Sequence, residues 1–324
     1  DEAVAHSHNH AHSPGTGHGA HSHDHSHSSA SAARLGWALA VTGAVVVAEL
    51  VGAFWSGSLS LAADAGHMVV DASGLVIALI ATRLMRRPRD EKHTWGWARS
   101  EVLAAALQAG MLLVICVMVA WEGAWRLASP PEVEAGPMLL VGIIGLVANV
   151  VSLAILAGGR EANLNMRAAF LEVLNDALGS LGVIVAAIVI WLTGFYQADA
   201  LAGLFIAALI VPRAVRLMKQ TTAVLMEFTP DGLDLDAMRE HMLRVDGVVE
   251  VHDVHASMVA TGLPVVTAHV VVADSCFHDG SAVAILDRIR SCVASHFEVS
   301  VEHSTFQLET AELGGREPDS IRHP

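Results

Sequence analysis

The chain has 324 residues, of which 53% are hydrophobic and only 16% are charged. This composition is too apolar for an ordinary soluble domain and indicates a membrane protein. The formal net charge of −14 argues against nucleic acid as a partner. The three cysteines, Cys116, Cys276 and Cys292, have no pairwise spacing, so neither a disulfide framework nor a cysteine-built zinc site is predicted.

The first segment, residues 1–32, is a low-complexity tail in which histidine alternates with serine, glycine and alanine. Nothing in it could form a core, so we predict a disordered N-terminal tail. Neutral imidazoles bind zinc, nickel or copper without a single defined geometry. The tail is either a metal-gathering arm or a dispensable metal-binding segment, and we expect a modest effect centred on His21, His23, His25 and His27.

Residues 33–220 contain the apolar stretches. Six of them are about 20 residues long, enough to cross the hydrocarbon layer: 34–56, 60–84, 100–124, 137–158, 168–192 and 197–218. Lysine and arginine cluster between spans 2 and 3, between spans 4 and 5, and after span 6, whereas the opposite connections are nearly free of them. By the positive-inside rule, both termini are predicted to be cytoplasmic.

Residues 221–310 have the pattern of a soluble domain. Helical spacing in "LDAMREHMLRV" is followed by two alternating stretches, an amphipathic helix and a closing strand. This order predicts an α+β sandwich of one sheet and two helices on the cytoplasmic side. The polar residues 311–324 are predicted to be a flexible tail. The fold class is therefore an all-α, six-helix transmembrane domain followed by a cytoplasmic α+β domain.

Two pairs of polar residues lie inside the predicted spans. His67 and Asp71 in span 2, and Glu172 and Asp176 in span 5, are each four residues apart and so share one helix face. A rise of about 1.5 Å per residue brings both pairs near the middle of a layer about 30 Å thick. One imidazole and three carboxylates at one point form a four-ligand site for a divalent cation. Three carboxylates repel one another without metal, so protons should bind when the metal leaves.

Other polar residues within the spans have less specific interpretations. A single aspartate in a span is as readily explained by a hydrogen bond between helices as by a binding site. Glu49, Asp64, Gln108 and Asn149 are therefore assigned to structural or pathway roles rather than to direct ligation.

The sequence resembles the cation diffusion facilitator family, particularly its zinc transporters. The resemblance rests on "ELVGAFWSGSLSLAADAGHMVVDASG", "WGWARSEVLAA", "NMRAAFLEVLNDALGSLGVIVAAI" and "VLMEFTPDGLDLDAMREHMLRVDGVVEVHDVHA", and covers about residues 33–310. It implies a homodimeric antiporter that moves zinc or a similar divalent ion out of the cytoplasm against protons. It also implies a ferredoxin-like cytoplasmic domain.

The same resemblance assigns the metal ligands. The span 2 pair matches the family at His67 and Asp71, and the span 5 pair matches at Asp176, but Glu172 stands where a histidine is usual. Replacing a nitrogen ligand by a harder oxygen leaves cobalt, cadmium and manganese as alternatives to zinc. A second, regulatory zinc site is implied in the soluble domain at His252, His269 and His303, with Glu309 as a further ligand.

Two other functional classes compete with a transporter. A membrane metal sensor could use the same site for regulation, and an intramembrane metalloprotease could use it for hydrolysis. The spans contain no HExxH motif, and four ligands leave no open position on the metal, so we expect no enzyme activity. The alanine- and arginine-rich, lysine-poor composition favours a bacterial plasma membrane.

Overall fold

A computed structural model describes residues 43–157, 164–295, 297 and 299–316. The tail histidines His21, His23, His25 and His27 lie outside the described residues, as do the first part of predicted span 1 and the end of the C-terminal tail.

The N-terminal part of the described chain is helical. Its helices are α1 (Gly43–Ser56), α2 (Leu59–Met85), α3 (Ser100–Ala128), α4 (Ala135–Ala157), α5 (Leu164–Thr193) and α6 (Gln197–Leu225). Five of them, α2 to α6, are long and apolar enough to cross a membrane, and α1 is a shorter apolar helix within the described part of predicted span 1. The prediction of membrane-spanning helices is thus confirmed for the five long ones.

Close approach between these helices depends on small residues. A Cβ atom added to Gly123 of α3 would lie 2.9 Å from the side chain of Leu204 in α6. A Cβ atom added to Gly145 of α4 would lie 3.0 Å from Glu49 and 3.1 Å from Ser180. Small residues let helix backbones approach in a membrane, where van der Waals packing rather than the hydrophobic effect drives helix association.

The start of α2 is attached to the start of α6. Ser58 caps α2 by accepting a hydrogen bond from the backbone N–H of Leu61. The buried carboxylate of Asp199, in the first turn of α6, accepts further hydrogen bonds from Ser58, Leu59 and Ser60. The N-terminal ends of these two helices are therefore side by side, and α2 and α6 run in parallel.

The C-terminal part is an α+β domain, as predicted. It comprises α7 (Leu235–Leu243), β1 (Val248–Ala260), β2 (Leu263–Val272), α8 (Ser275–His278), α9 (Ala282–Ser295), β3 (His303–Glu309) and α10 (Ala311–Gly314). The predicted succession of helix, strand, strand, helix and strand is present, with α8 and α10 as additional single turns. Asp234 caps α7 by accepting hydrogen bonds from the N–H groups of Asp236 and Ala237.

One sheet, in the order β1-β2-β3, organises this domain. β1 and β2 form an antiparallel hairpin, whereas β2 and β3 are parallel because α9 connects them as a crossover. Met238 and Met242 of α7 and Ile289 and Val293 of α9 are completely buried against the sheet. This register sets which polar side chains of the three strands are neighbours.

Candidate functional site

A small polar pocket lies between α2, α5 and α6. Its volume is about 30 Å³, and it is lined by Asp64, His67, Glu172, Asn175, Asp176, Gly179, Ile206, Leu209, Ile210 and Arg213. A cavity needs about 10–15 Å³ to hold one water molecule, so this pocket has room for a particle of about that size. Three of the four predicted transport ligands line it, and the fourth, Asp71, contacts the lining residue Arg213.

One half of the site is a contact between α2 and α5. The Nε2 atom of His67 lies 3.2 Å from Oδ1 of Asp176, and its Nδ1 atom lies 3.6 Å from Oδ1 of Asp64. His67 is 5% exposed and Asp64 is 2% exposed, so both residues are shielded from solvent. An imidazole with carboxylates on both sides is a donor set that suits zinc.

The other half of the site is organised by an arginine. The Nη1 atom of Arg213 forms an ion pair with Oε1 of Glu172 at 2.7 Å. Nη1 also donates to Oδ2 of Asp71 at 3.0 Å, and Nη2 donates to Oδ1 of Asp71 at 3.2 Å. Gln108 Nε2 also donates to Oδ1 of Asp71, at 3.1 Å. The four predicted ligands therefore form two groups: His67 contacts Asp176, and Asp71 and Glu172 share Arg213.

Two charged residues of this pocket, Asp64 and Arg213, are not among the predicted ligands. Asp64 was assigned to a structural or pathway role, yet it contacts His67; its position three residues before His67, on the same helix face, was the available signal. Arg213, near the end of predicted span 6, contributed to the sequence prediction only as one of the basic residues that set the orientation. An arginine within an apolar stretch is itself a signal, because a charged side chain in hydrocarbon requires a partner.

The other polar residues of the bundle have neighbours in keeping with the roles assigned to them. Gln108 is the hydrogen-bond donor to Asp71, and Asn149 of α4 donates to the hydroxyl of Ser180 in α5 at 3.3 Å. Glu49 of α1 is 2% exposed and lies beside Gly145 of α4.

A second cluster lies on the sheet of the α+β domain. His252, His269 and Glu309 each offer one ligand atom, and these atoms all lie within 4.8 Å of one another. His269 Nδ1 is 3.1 Å from Oε1 of Glu309, and His252 Nε2 is 3.9 Å from Oε2. Two imidazoles and a carboxylate with 1% exposure form a donor set that fits a zinc ion.

The strand register explains the membership of this cluster. His252 of β1 is opposite His269 of β2, and Glu309 follows two residues after Gln307, the β3 partner of His269. His303, the other predicted ligand, pairs instead with Val265 at the beginning of β3. Its exposed ring contacts Trp95, with ring centroids 4.8 Å apart, so the structure does not bring His303 into the cluster.

Comparison with known proteins shows the family of the chain. The model of the cation efflux transmembrane domain matches residues 37–226, and that of the cytoplasmic domain of cation efflux proteins matches residues 230–311. The chain belongs to the cation diffusion facilitator family. The resemblance inferred from the sequence is thereby confirmed.

Several relatives are similar over most of their length. The zinc transporter ZitB of Escherichia coli is 41% identical over 278 residues, which are 85% of this chain and 87% of the relative. The metal cation efflux system protein CzcD of Cupriavidus metallidurans is 36% identical over 286 residues, 88% of each chain. The cadmium, cobalt and zinc/H(+)-K(+) antiporter of Bacillus velezensis is 34% identical over 275 residues, 84% of this chain and 86% of the relative.

Family membership decides two earlier predictions. Members are transporters rather than enzymes, so the expectation that the chain has no enzyme activity is confirmed. The family and the five long apolar helices together make the chain an integral membrane protein.

Proposed function

We propose that the chain exports divalent metal ions, mainly zinc, from the cytoplasm in exchange for protons. The relatives named as a zinc transporter and as a cadmium, cobalt and zinc antiporter support this substrate class. The function implies alternating access, in which the ion enters the pocket from one side of the membrane and leaves it on the other.

The observation that carries the proposal is the contact between the buried His67 of α2 and the half-buried Asp176 of α5 at the polar pocket. Both side chains offer zinc ligands, and with Asp71 and Glu172 they complete a four-ligand set. Glu172, an oxygen donor where the family resemblance expects histidine, widens the candidate ions to cobalt, cadmium and manganese.

Proton coupling follows from the charge of the ligands. Carboxylates and imidazole bind metal only in their deprotonated forms, so metal binding releases protons and proton binding favours metal release. A site with several carboxylates in a confined pocket therefore supports exchange of metal for protons. A membrane metal sensor that uses the same site is the competing function, and it predicts binding without flux.

For the remainder of the chain, we infer a transport domain at residues 33–220 and a regulatory, dimerising domain at residues 221–310. The match to a cytoplasmic domain supports cytoplasmic termini, and the bacterial relatives support a bacterial plasma membrane. The helix and strand order supports a ferredoxin-like domain. The match to the cytoplasmic domain of cation efflux proteins supports a homodimer joined by this domain. The cluster of His252, His269 and Glu309 is the proposed regulatory zinc site.

The test is a flux assay in proteoliposomes that contain a zinc-sensitive dye and carry an imposed proton gradient. The wild-type chain should move zinc, with cobalt, cadmium and manganese tested in parallel. Asp176→Asn should abolish flux, whereas Asp231→Asn, the same change at an exposed position outside the helical bundle, should not. If the folded wild-type chain moves none of these ions, the proposal is wrong. If zinc flux does not depend on the proton gradient, only the proton-coupling part of the proposal is wrong.

A further inference from the structure

Arg213 places a permanent positive charge against two of the proposed metal ligands. Its guanidinium group bridges Asp71 of α2 and Glu172 of α5 through contacts of 2.7, 3.0 and 3.2 Å. Both oxygens of Asp71 and one oxygen of Glu172 are engaged. Arginine suits this position because its planar, always-charged group holds carboxylates with two parallel donors.

The position of Arg213 within α6 distinguishes it from the other basic residues of that helix. Its side chain is 38% exposed and turns toward two carboxylates, whereas Arg216, three residues later, is exposed. A charged side chain in a membrane helix is costly unless it is paired. The partners of Arg213 are themselves proposed metal ligands. The ion pairs of Arg213 and metal binding therefore involve the same carboxylates.

The guanidinium group and a bound metal ion would compete for the same two carboxylates. A ligand oxygen directs a lone pair at the metal from about 2.0–2.2 Å in zinc sites. A divalent ion bound to Asp71 and Glu172 would also stand beside a like charge, which is strongly unfavourable in a confined site. This repulsion favours release of at least part of the present guanidinium contacts when all four ligands bind metal.

Two features of the chain fit such a displacement. Pro212 precedes Arg213 inside α6, and since proline has no backbone N–H, the helix lacks its hydrogen bond to the carbonyl of Ala208 there. Glu172 supplies the second negative partner, which a neutral histidine in its place would not. Glu172, which stands at the usual histidine position, and Arg213 thus form an ion pair.

We propose that Arg213 is a built-in counter-cation, which occupies the Asp71–Glu172 half of the site when metal is absent and is displaced when metal binds. It neutralises carboxylates in the empty transporter and competes with the ion for their oxygens. It thereby weakens metal binding and promotes metal release. This role rests on the proposed function, because it assumes that the pocket is the transport site.

The test compares Arg213→Gln with the matched control Arg216→Gln, both in the full chain in lipid nanodiscs and in proteoliposomes. Zinc affinity is measured by competition with a zinc-binding dye, and flux gives KM and the maximal rate separately. Arg213→Gln should bind zinc roughly tenfold more tightly, within the range usual for coupled binding events. Its KM and its maximal rate should both fall, since release becomes slower. Arg216→Gln should leave all three quantities unchanged.

Unchanged or weaker zinc binding by folded Arg213→Gln would overturn the counter-cation role, because a purely structural arginine would not oppose metal binding. An equal gain of affinity in Arg216→Gln would also overturn it, since the effect would then be general electrostatics. If Arg213→Gln does not fold, Arg213→Lys decides. Lysine keeps the charge but loses the two-donor grip on Asp71, so zinc should bind more tightly by a smaller factor, and unchanged affinity refutes the proposal.

The binding measurement separates this inference from the proposed function. If the wild-type chain binds zinc but does not transport it, export is refuted. The effect of Arg213→Gln on zinc affinity is still measurable in that case and tests the counter-cation role independently. Wild-type chain that transports zinc, with no gain of affinity in Arg213→Gln, would refute the counter-cation alone.

Discussion

The attachment of α2 to α6 through Asp199 predicts a large loss of stability when that side chain is truncated. Its carboxylate is 1% exposed and accepts from the backbone N–H of Leu59 at 2.6 Å and of Ser60 at 3.0 Å. The hydroxyls of Ser58 and Ser60 donate to it at 2.5 and 2.6 Å. Asp199→Ala would leave all four donors without this acceptor.

The size of the effect follows from the donors that cannot find new partners. The two serine hydroxyls lie 3.1 Å apart and can pair with each other, but the two backbone N–H groups cannot. A hydrogen bond to a charged group contributes about 1.5–3 kcal/mol, so two of them give about 3–6 kcal/mol. At about 2–4 °C per kcal/mol for a domain of this size, the unfolding temperature should fall by roughly 10 °C.

Thermal unfolding in nanodiscs, followed by the fluorescence of the seven tryptophans, measures this loss. A fixed scan rate is needed because membrane proteins often unfold irreversibly. Glu132→Ala, which truncates an exposed carboxylate in the connection between α3 and α4, is the control and should change the unfolding temperature little. A fall of less than about 2 °C in Asp199→Ala would refute the reasoning, because the buried hydrogen bonds would then contribute nothing net.

Three further outcomes are expected. Asp176→Asn should lower zinc affinity at the transport site at least tenfold, since it removes a ligand charge beside His67; dye competition measures this, and unchanged affinity would exclude Asp176 as a ligand. His252→Ala combined with His269→Ala should reduce the zinc bound per chain by one, as measured by equilibrium dialysis, and an unchanged ratio would exclude the site in the α+β domain. Deleting residues 1–30 should change the KM for zinc only slightly; complete loss of flux would show that the histidine-rich tail is essential.

Local patterns were sufficient to predict the main elements of this fold, though not the single turns α8 and α10. Apolar runs of about 20 residues predicted the long helices, because hydrocarbon leaves the backbone no partners except its own. Alternation in "LPVVTAHVVVA" predicted the strand that became β2. The spacing of four residues also placed His67 and Asp71 on one face of α2, since helix geometry is the same wherever the helix lies.

Contacts between residues that are far apart in the sequence could not be predicted from local patterns. The sequence pattern gave no reason to join Arg213 to Asp71 and Glu172, because the rotation and relative height of α2, α5 and α6 come from packing along their whole length. The spacing of Asp64 and His67 is local to α2, but only the packing of α5 against α2 places both at the same pocket as Asp176.

The same distinction holds in the α+β domain: local patterns predict its strands, and tertiary packing decides which of their residues are in contact. The sequence by itself placed histidines and a glutamate on the predicted strands. Only the register decided that His252, His269 and Glu309 meet and that His303 lies four residues along the sheet from His269. A strand fixes which of its residues share a face, but which residues of two strands are opposite each other depends on how the strands and α9 pack together.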